Sequence, residues 1–150
     1  GTCRHKMIVG VEIVQLKQFP DERGRVMHML RRTDAHFENF GEIYFSACNP
    51  NHIKAWMYHK KNTSNYAVVS GMAKIVLHDL RDDSKTKGET QEIYAGEHNH
   101  ILIKIPPGVA HGFKAVGMKE AIVANCTTEP YNADDNFKIS TNDNIIDYKW

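Results

Sequence analysis

His111 lies three residues after the glycine of a rigid turn, and its imidazole is a group that can exchange protons or bind a metal near neutral pH. The turn is Pro106-Pro107-Gly108, in which the prolines have no N–H to donate and the glycine supplies the positive φ of a type II turn. Histidines that open a strand after such a turn face either the interior of a barrel or solvent. The motif alone leaves both placements open.

The Pro-x-Gly-x-x-His pattern of this turn resembles that of the cupins, the double-stranded β-helix proteins. Their metal sites also need an upstream strand with two histidines flanking one residue and an acid a few positions later. Here that strand reads Met57-Tyr58-His59, followed by Ser64 and Asn65. Thioethers and amides are poor ligands for the hard or borderline metals of such sites. We therefore expect no bound metal and no cofactor.

Two other groups of polar residues are predicted to lie outside any site. His78 shares the strand alternation of Lys74, so if Lys74 faces outward His78 does too, and we expect a surface role for it. The run Glu97-His98-Asn99-His100 has the composition of a ligand cluster but lies in a turn-like setting before a strand. We expect it to be a solvated loop.

Regularly spaced short strands, each ended by a turn signal, predict an all-β sandwich or barrel. The predicted strands are 9–18, 26–30, 43–47, 53–59, 66–69, 72–79, 91–95, 101–105, 113–116 and 121–126. Residues 32–39 favour one short helical turn. Residues 131–144 favour a surface loop or short helix, followed by a final strand that ends at Trp150.

Composition excludes several classes of protein. With 19 basic and 18 acidic side chains there is no basic field for nucleic acid, and no apolar stretch is long enough for a membrane helix. Three widely spaced cysteines form neither a zinc motif nor a disulfide framework, which favours a reducing, cytoplasmic compartment. Residues 1–6 are expected to be a cloning remnant or a disordered N-terminus, and residues 7–150 a single cupin domain.

Five segments in sequence order resemble the dTDP-4-dehydrorhamnose 3,5-epimerase family, a cupin-type group that acts on nucleotide-linked 4-keto-6-deoxy sugars. They are Asp21-Glu22-Arg23-Gly24, residues 79–88, residues 105–113, residues 127–132 and Asp147-Tyr148-Lys149-Trp150. The resemblance implies a double-stranded β-helix (cupin jelly roll) with short helical turns. It also implies epimerase activity in surface polysaccharide biosynthesis, which removes a proton next to a ketone and returns one on the opposite face.

The resemblance assigns roles residue by residue. Arg23 matches an arginine that grips the diphosphate, often across a dimer interface, and Tyr131 a tyrosine near the nucleotide. His111 matches a histidine near the keto group of the sugar. Lys54 replaces the arginine of an Arg-Gly-x-His signature and keeps its positive charge, and within that signature Trp56 and Met57 are expected to contact substrate.

The departures from the family concern its proton-transfer groups. Met57 stands where the family has its histidine base, and Ala124 where, by count from Cys126, it has its tyrosine acid. The carboxylate that orients the base lies beyond the terminal Asp-x-x-Trp pattern, and the sequence ends at Trp150. His59, two residues from Met57 on the same strand face, can serve as a base if the sugar shifts by one strand step of about 6–7 Å. Tyr58 points to the other face.

Three functions follow. The first is an epimerase in which His59 and His111 are acid and base, Lys54 holds the enolate and Arg23 the diphosphate. The second is an inert cupin that binds nucleotide sugars, and the third is a metal-dependent cupin using His59, His98 or His100, and His111. The exposed sheet edges of such a fold also predict a homodimer, formed through a strand such as 9–18.

Overall fold

The structure, a computed structural model, describes residues 7–150. The predictions for residues 1–6, Cys3 included, lie outside the described residues. The described chain forms twelve strands and one short 3₁₀ helix, Ala133–Asp135. The strands are β1 Glu12–Gln15, β2 Gln18–Asp21, β3 Gly24–Met27, β4 Glu42–Cys48, β5 Ile53–Tyr58, β6 Ser64–Ser70, β7 Met72–Asp79, β8 Thr90–Gly96, β9 Ile101–Ile105, β10 Val109–Val116, β11 Ala121–Thr127 and β12 Phe137–Lys138.

Ten of these strands form two antiparallel sheets that face each other, as in a cupin jelly roll. Sheet I has the order β1-β9-β6-β11-β4 and sheet II the order β12-β5-β10-β7-β8. Strands β2 and β3 form a separate hairpin. The predicted all-β, double-stranded β-helix class is confirmed.

Because successive side chains of a strand point to opposite faces, every second apolar side chain lies between the two sheets. Ile75 and Leu77 of sheet II and Val68 and Val123 of sheet I belong to this inner core. Alternate residues of sheet II, such as Val76, belong to a second cluster on the outer face. The two strands β7 and β10 of sheet II therefore bury both of their faces.

The C-terminal segment covers the outer face of sheet II, where a final strand was predicted. No strand follows Lys138; instead Ile139 exchanges backbone hydrogen bonds with Trp56, and Ile146 packs on the same cluster. The prediction of a strand ending at Trp150 is wrong, because the apolar residues of this segment follow no period of two.

This cover also corrects the prediction of a surface His78. His78 and Lys74 lie on the outer face as expected, but each is only 8% exposed. The Lys74 ammonium donates to the Trp150 carbonyl (3.1 Å) and lies over the rings of Tyr148 and Trp150. His78 Nδ1 lies 2.8 Å from Thr90 Oγ1.

Two further local predictions were wrong. Residues 32–39 form successive turns rather than a helix, with hydrogen bonds such as Phe37 N–H to the Asp34 carbonyl. His100 is buried and its Nε2 donates to the His28 carbonyl (2.7 Å), whereas Glu97 and His98 are exposed as predicted. Within residues 7–150, no helix is long and apolar enough to cross a membrane.

Candidate active site

The Pro106-Pro107-Gly108 turn holds both histidines of the site. Gly108 has φ +84°, and the Val109 N–H bonds to the Pro106 carbonyl (3.4 Å), which confirms the type II turn. The Gly108 N–H donates to the His59 carbonyl (2.7 Å). Strand β10 starts at Val109, so His111 is its third residue, opposite Met57 of β5.

His111 faces the interior and bonds to a tyrosine that the sequence gave no reason to single out. The Tyr66 hydroxyl lies 2.8 Å from His111 Nδ1, and both residues are less than a tenth exposed. Burial, and secondly the charge of nearby His59, lowers the pKa of His111 to about 3, while burial raises the pKa of Tyr66. The pair is therefore uncharged at neutral pH.

These neighbours set the tautomer of His111. A buried phenol has to donate its proton, and His111 Nδ1 is the acceptor within reach. Nδ1 is then unprotonated and Nε2 carries the proton. His111 is thus a neutral hydrogen-bond donor.

His59 is held in the opposite tautomer. Its Nδ1 lies 2.6 Å from the backbone carbonyl of Asp135, which can only accept a hydrogen bond, so in the neutral ring Nδ1 carries the proton and Nε2 the lone pair. The Asp135 carboxylate accepts the backbone N–H groups of Lys60, Lys61 and Asn62. Burial alone would raise the pKa of Asp135, but these three donors hold it below its usual value.

Two adjoining cavities open beside these histidines. The larger, about 840 Å³, is lined by His59, Met57, Tyr44, Tyr131 and residues of the segment after β11. The smaller, about 440 Å³, is lined by His111, Tyr66, Lys54 and Asn125, and also by Met57 and Tyr44. Because two residues line both cavities, we treat them as the outer and inner lobes of one cleft. The His59 and His111 ring centroids are 6.0 Å apart.

Lys54 and Met57 line the cleft as predicted. Lys54 lies opposite Phe113 and its ammonium reaches across to β4, where it donates to Ser46 Oγ (2.9 Å) and to the Ala47 carbonyl (3.0 Å). The pairing of β5 with β10 is irregular between these two positions. As a result both Lys54 and Met57 face inward although three positions separate them.

The other predicted substrate contacts are less well placed within one chain. Trp56 lines the inner lobe, but it is only 2% exposed and its ring packs against Tyr148 and Trp150 in the outer cluster. Tyr131 is 67% exposed at the outer lobe. The Arg23 side chain is 83% exposed on the β2–β3 hairpin, pairs with Asp21 (2.7 Å) and is absent from the lining of both lobes.

Comparison with known proteins identifies the family. The family model described as dTDP-4-dehydrorhamnose 3,5-epimerase matches residues 5–150. The chain belongs to the dTDP-4-dehydrorhamnose 3,5-epimerase family. It is an epimerase-like member, as the resemblance implied.

Named relatives agree with this assignment. The spore coat polysaccharide biosynthesis protein SpsL of Bacillus subtilis is 40% identical over 96% of this chain and 97% of its own. The Haloferax volcanii protein named "Probable low-salt glycan biosynthesis epimerase Agl13" is 32% identical over 83% of this chain and 81% of its own. The crystal structure of a dTDP sugar isomerase from Desulfovibrio desulfuricans G20 superposes with a TM-score of 0.93 at 38% identity, covering 95% of this chain and 92% of that one.

The strand register shows which residues of β11 face the cleft. Ala124 pairs with Ala67 and Phe45 and points to the outer face of sheet I, so it does not face His111. Its neighbour Asn125 pairs with Tyr66 and Tyr44 and lines the inner lobe. Alternation with core residue Val123 is the signal that finds Asn125, and the match of Ala124 to the family's acid stays a prediction.

The metal-dependent alternative finds no support in the described part of the chain. Among residues 7–150, no group of three or more His, Cys, Asp or Glu side chains is arranged to hold a metal ion. His98 lies exposed in a turn, and His100 is bonded to the His28 carbonyl. The absence of a bound metal stays a prediction, which metal analysis of the purified protein tests.

Proposed function

We propose that this protein epimerises a nucleotide-diphospho-4-keto-6-deoxy sugar at a carbon beside its ketone. The observation that carries the proposal is that Nδ1 of His59 faces a backbone carbonyl while Nδ1 of His111 faces a phenol, which assigns opposite tautomers to the two neutral rings. One can accept a proton from carbon while the other stabilises the oxygen that becomes negative. Family membership supplies the substrate class.

The chemistry uses these groups in order. His59 Nε2 takes the proton from the carbon next to the ketone, and the C–H electron pair moves into the C–C bond as the carbonyl becomes an enolate. The neutral His111 Nε2–H and the Lys54 ammonium, both on the inner lobe, stabilise the enolate oxygen. Return of a proton to the other face of the same carbon inverts it.

The rest of the substrate fits the outer lobe. Its volume of about 840 Å³ is in the range of small-molecule sites, and the exposed ring of Tyr131 offers a stacking surface for the nucleobase of the substrate. Arg23 does not line the cleft of its own chain, so we assign it to the diphosphate in the cleft of a second copy. We therefore infer a homodimer.

The product class follows from the relatives. SpsL and Agl13 are named for spore coat polysaccharide and glycan biosynthesis, so we infer that this protein makes an activated sugar for a surface polysaccharide. Nucleotide sugars are made in the cytoplasm, and we place the protein there. The free thiols of Cys48 and Cys126 are compatible with that compartment.

A second function, binding without catalysis, is favoured by one observation. Met57 lines both lobes at the position of the family's base, and a thioether accepts no proton from carbon at neutral pH. In that case the nucleotide sugar would bind while His59 does nothing to its C–H bonds.

Solvent deuterium exchange separates the two functions. We expect the wild-type protein, incubated in D₂O with a thymidine-diphosphate 4-keto-6-deoxy sugar, to incorporate deuterium at the carbons adjoining the ketone. Calorimetric binding without exchange above background would favour the inert module. If the protein showed no binding and no exchange, both functions would be excluded for this nucleotide.

A further inference from the structure

Tyr44 presents a hydroxyl to the cleft from the wall opposite His59. It lies on β4 of sheet I, lines both lobes and is 41% exposed. His59 follows β5 of sheet II. The inner lobe is bounded by both sheets, with Tyr44, Tyr66 and Asn125 on one side and Met57 and His111 on the other.

Buried Asn125 fixes the direction in which Tyr44 can donate. The Asn125 Oδ1 accepts the Asn65 backbone N–H (3.2 Å), which places its amide nitrogen 2.9 Å from the Tyr44 hydroxyl. Asn125 is 1% exposed, and turning its amide over would set its NH₂ group against the Asn65 N–H, so the orientation is fixed. An amide nitrogen only donates, so Tyr44 Oη accepts this bond and its own proton remains available to the cleft.

The remaining tyrosines near the cleft are less suitable donors. The Tyr66 hydroxyl is committed to His111 and the residue is 7% exposed. Tyr131 lies at the outer lobe on a loop, where its backbone N–H bonds to Glu42 Oε1 (2.7 Å). Tyr58 stacks on Phe137 away from the cleft.

We propose that Tyr44 is the general acid that protonates the enolate on the face opposite His59. This inference rests on the proposed epimerase function. His59 gains the proton of the C–H bond, and Tyr44 gives its phenolic proton to the same carbon from the other side, which leaves an imidazolium and a phenolate. The Asn125 amide stabilises the phenolate by donating to its oxygen, and solvent in the open cleft then restores both groups.

Tyr44→Phe separates proton removal from inversion. In D₂O, NMR of the sugar measures deuterium incorporated with retained configuration and deuterium incorporated with inversion. We expect Tyr44→Phe to keep exchange, because His59 can return a deuteron to the face it serves. The fraction inverted should fall by about 10² or more, the usual contribution of a general acid. The control is Tyr94→Phe on β8, which lines neither lobe and should behave as wild type.

The outcomes distinguish this inference from the proposed function. A wild-type fraction inverted in Tyr44→Phe would overturn the role of Tyr44 and leave the function standing. An equal loss of exchange and inversion would also overturn it, since it would make Tyr44 a binding residue. A wild-type protein that exchanges nothing would overturn the function and the inference together.

Discussion

His59 and His111 differ in tautomer because they differ in neighbour. A carbonyl that only accepts faces Nδ1 of His59, and a phenol that has to donate faces Nδ1 of His111. The Asp135 carbonyl thus makes Nε2 of His59 an acceptor, and the Tyr66 hydroxyl makes Nε2 of His111 a donor. Both assignments concern neutral imidazole, and burial keeps His111 neutral.

Removal of the Tyr66 hydroxyl tests this assignment. In the wild type, ¹⁵N NMR should show His111 protonated at Nε2 and neutral from pH 8 down to about pH 4, since its pKa is lowered to about 3. Tyr66→Phe should give a mixture of tautomers and about fivefold slower exchange, as expected for one hydrogen bond of about 1 kcal/mol. An Nδ1-protonated His111 in the wild type would refute the assignment. Tyr94→Phe serves as the control.

At the scale of elements, the turn before β10 organises the site. Gly108 satisfies three demands at once: a positive φ, an N–H for the His59 carbonyl, and space for the Arg81 side chain. A Cβ at this position would collide with Arg81 Cγ. The Pro106-Pro107-Gly108 turn, whose motif indicated the fold, therefore also fixes the backbone at His59.

A pair of glycine substitutions measures this constraint. Gly117 has a similar φ of +89°, but a Cβ added there would have no atom within 4 Å. Gly117→Ala should therefore lower the free energy of unfolding only by the backbone strain, about 1–2 kcal/mol. Gly108→Ala should cost about 1–3 kcal/mol more because of overpacking against Arg81. Urea denaturation gives both values. Equal free energies of unfolding for the two variants would show that the collision is relieved at no cost.

Elements with strict alternation were predictable and irregular ones were not. Strands β7 and β9 match their predicted bounds, because their side chains alternate between two environments. Hairpin strand β2 and the two-residue strand β12 lack such a pattern and were missed. The contact of Lys74 with Trp150 joins residues 76 positions apart, which no local pattern contains.

The same limit applies to the site. His59, Met57 and His111 could be placed because their strands carry the motifs of the family, and the cleft contains all three. Tyr44, Tyr66 and Asn125 belong to strands without such a motif and meet only through the register of β4, β11 and β6. Their roles need the pairing of strands that are distant in sequence.

For the whole molecule, exposed apolar residues mark the surface through which the proposed dimer would form. Every residue of the β2–β3 hairpin is exposed, including Phe19 at 52% and Val26 at 60%. The hairpin also carries Arg23, which its own cleft does not use. Association through the hairpin would bury the apolar side chains and bring Arg23 to a second cleft.

Light scattering tests this arrangement. We expect a dimer at micromolar concentration, and a monomer with weakened nucleotide-sugar binding for the Phe19→Glu, Val26→Glu double variant. Met118→Glu is the control, because Met118 is 97% exposed in a turn far from the hairpin in sequence. A wild-type monomer, or a double variant that remains dimeric, would contradict a dimer formed through the hairpin.

The central claim is that His59 acts as the general base, a role that the thioether of Met57 cannot fill. It is tested most directly by deuterium exchange into a thymidine-diphosphate 4-keto-6-deoxy sugar, measured for the wild type, His59→Gln and the exposed-turn control His98→Gln. We predict exchange in the wild type and in His98→Gln, and a loss of about 10²–10⁴ in His59→Gln. Exchange in His59→Gln at the wild-type rate would contradict the claim.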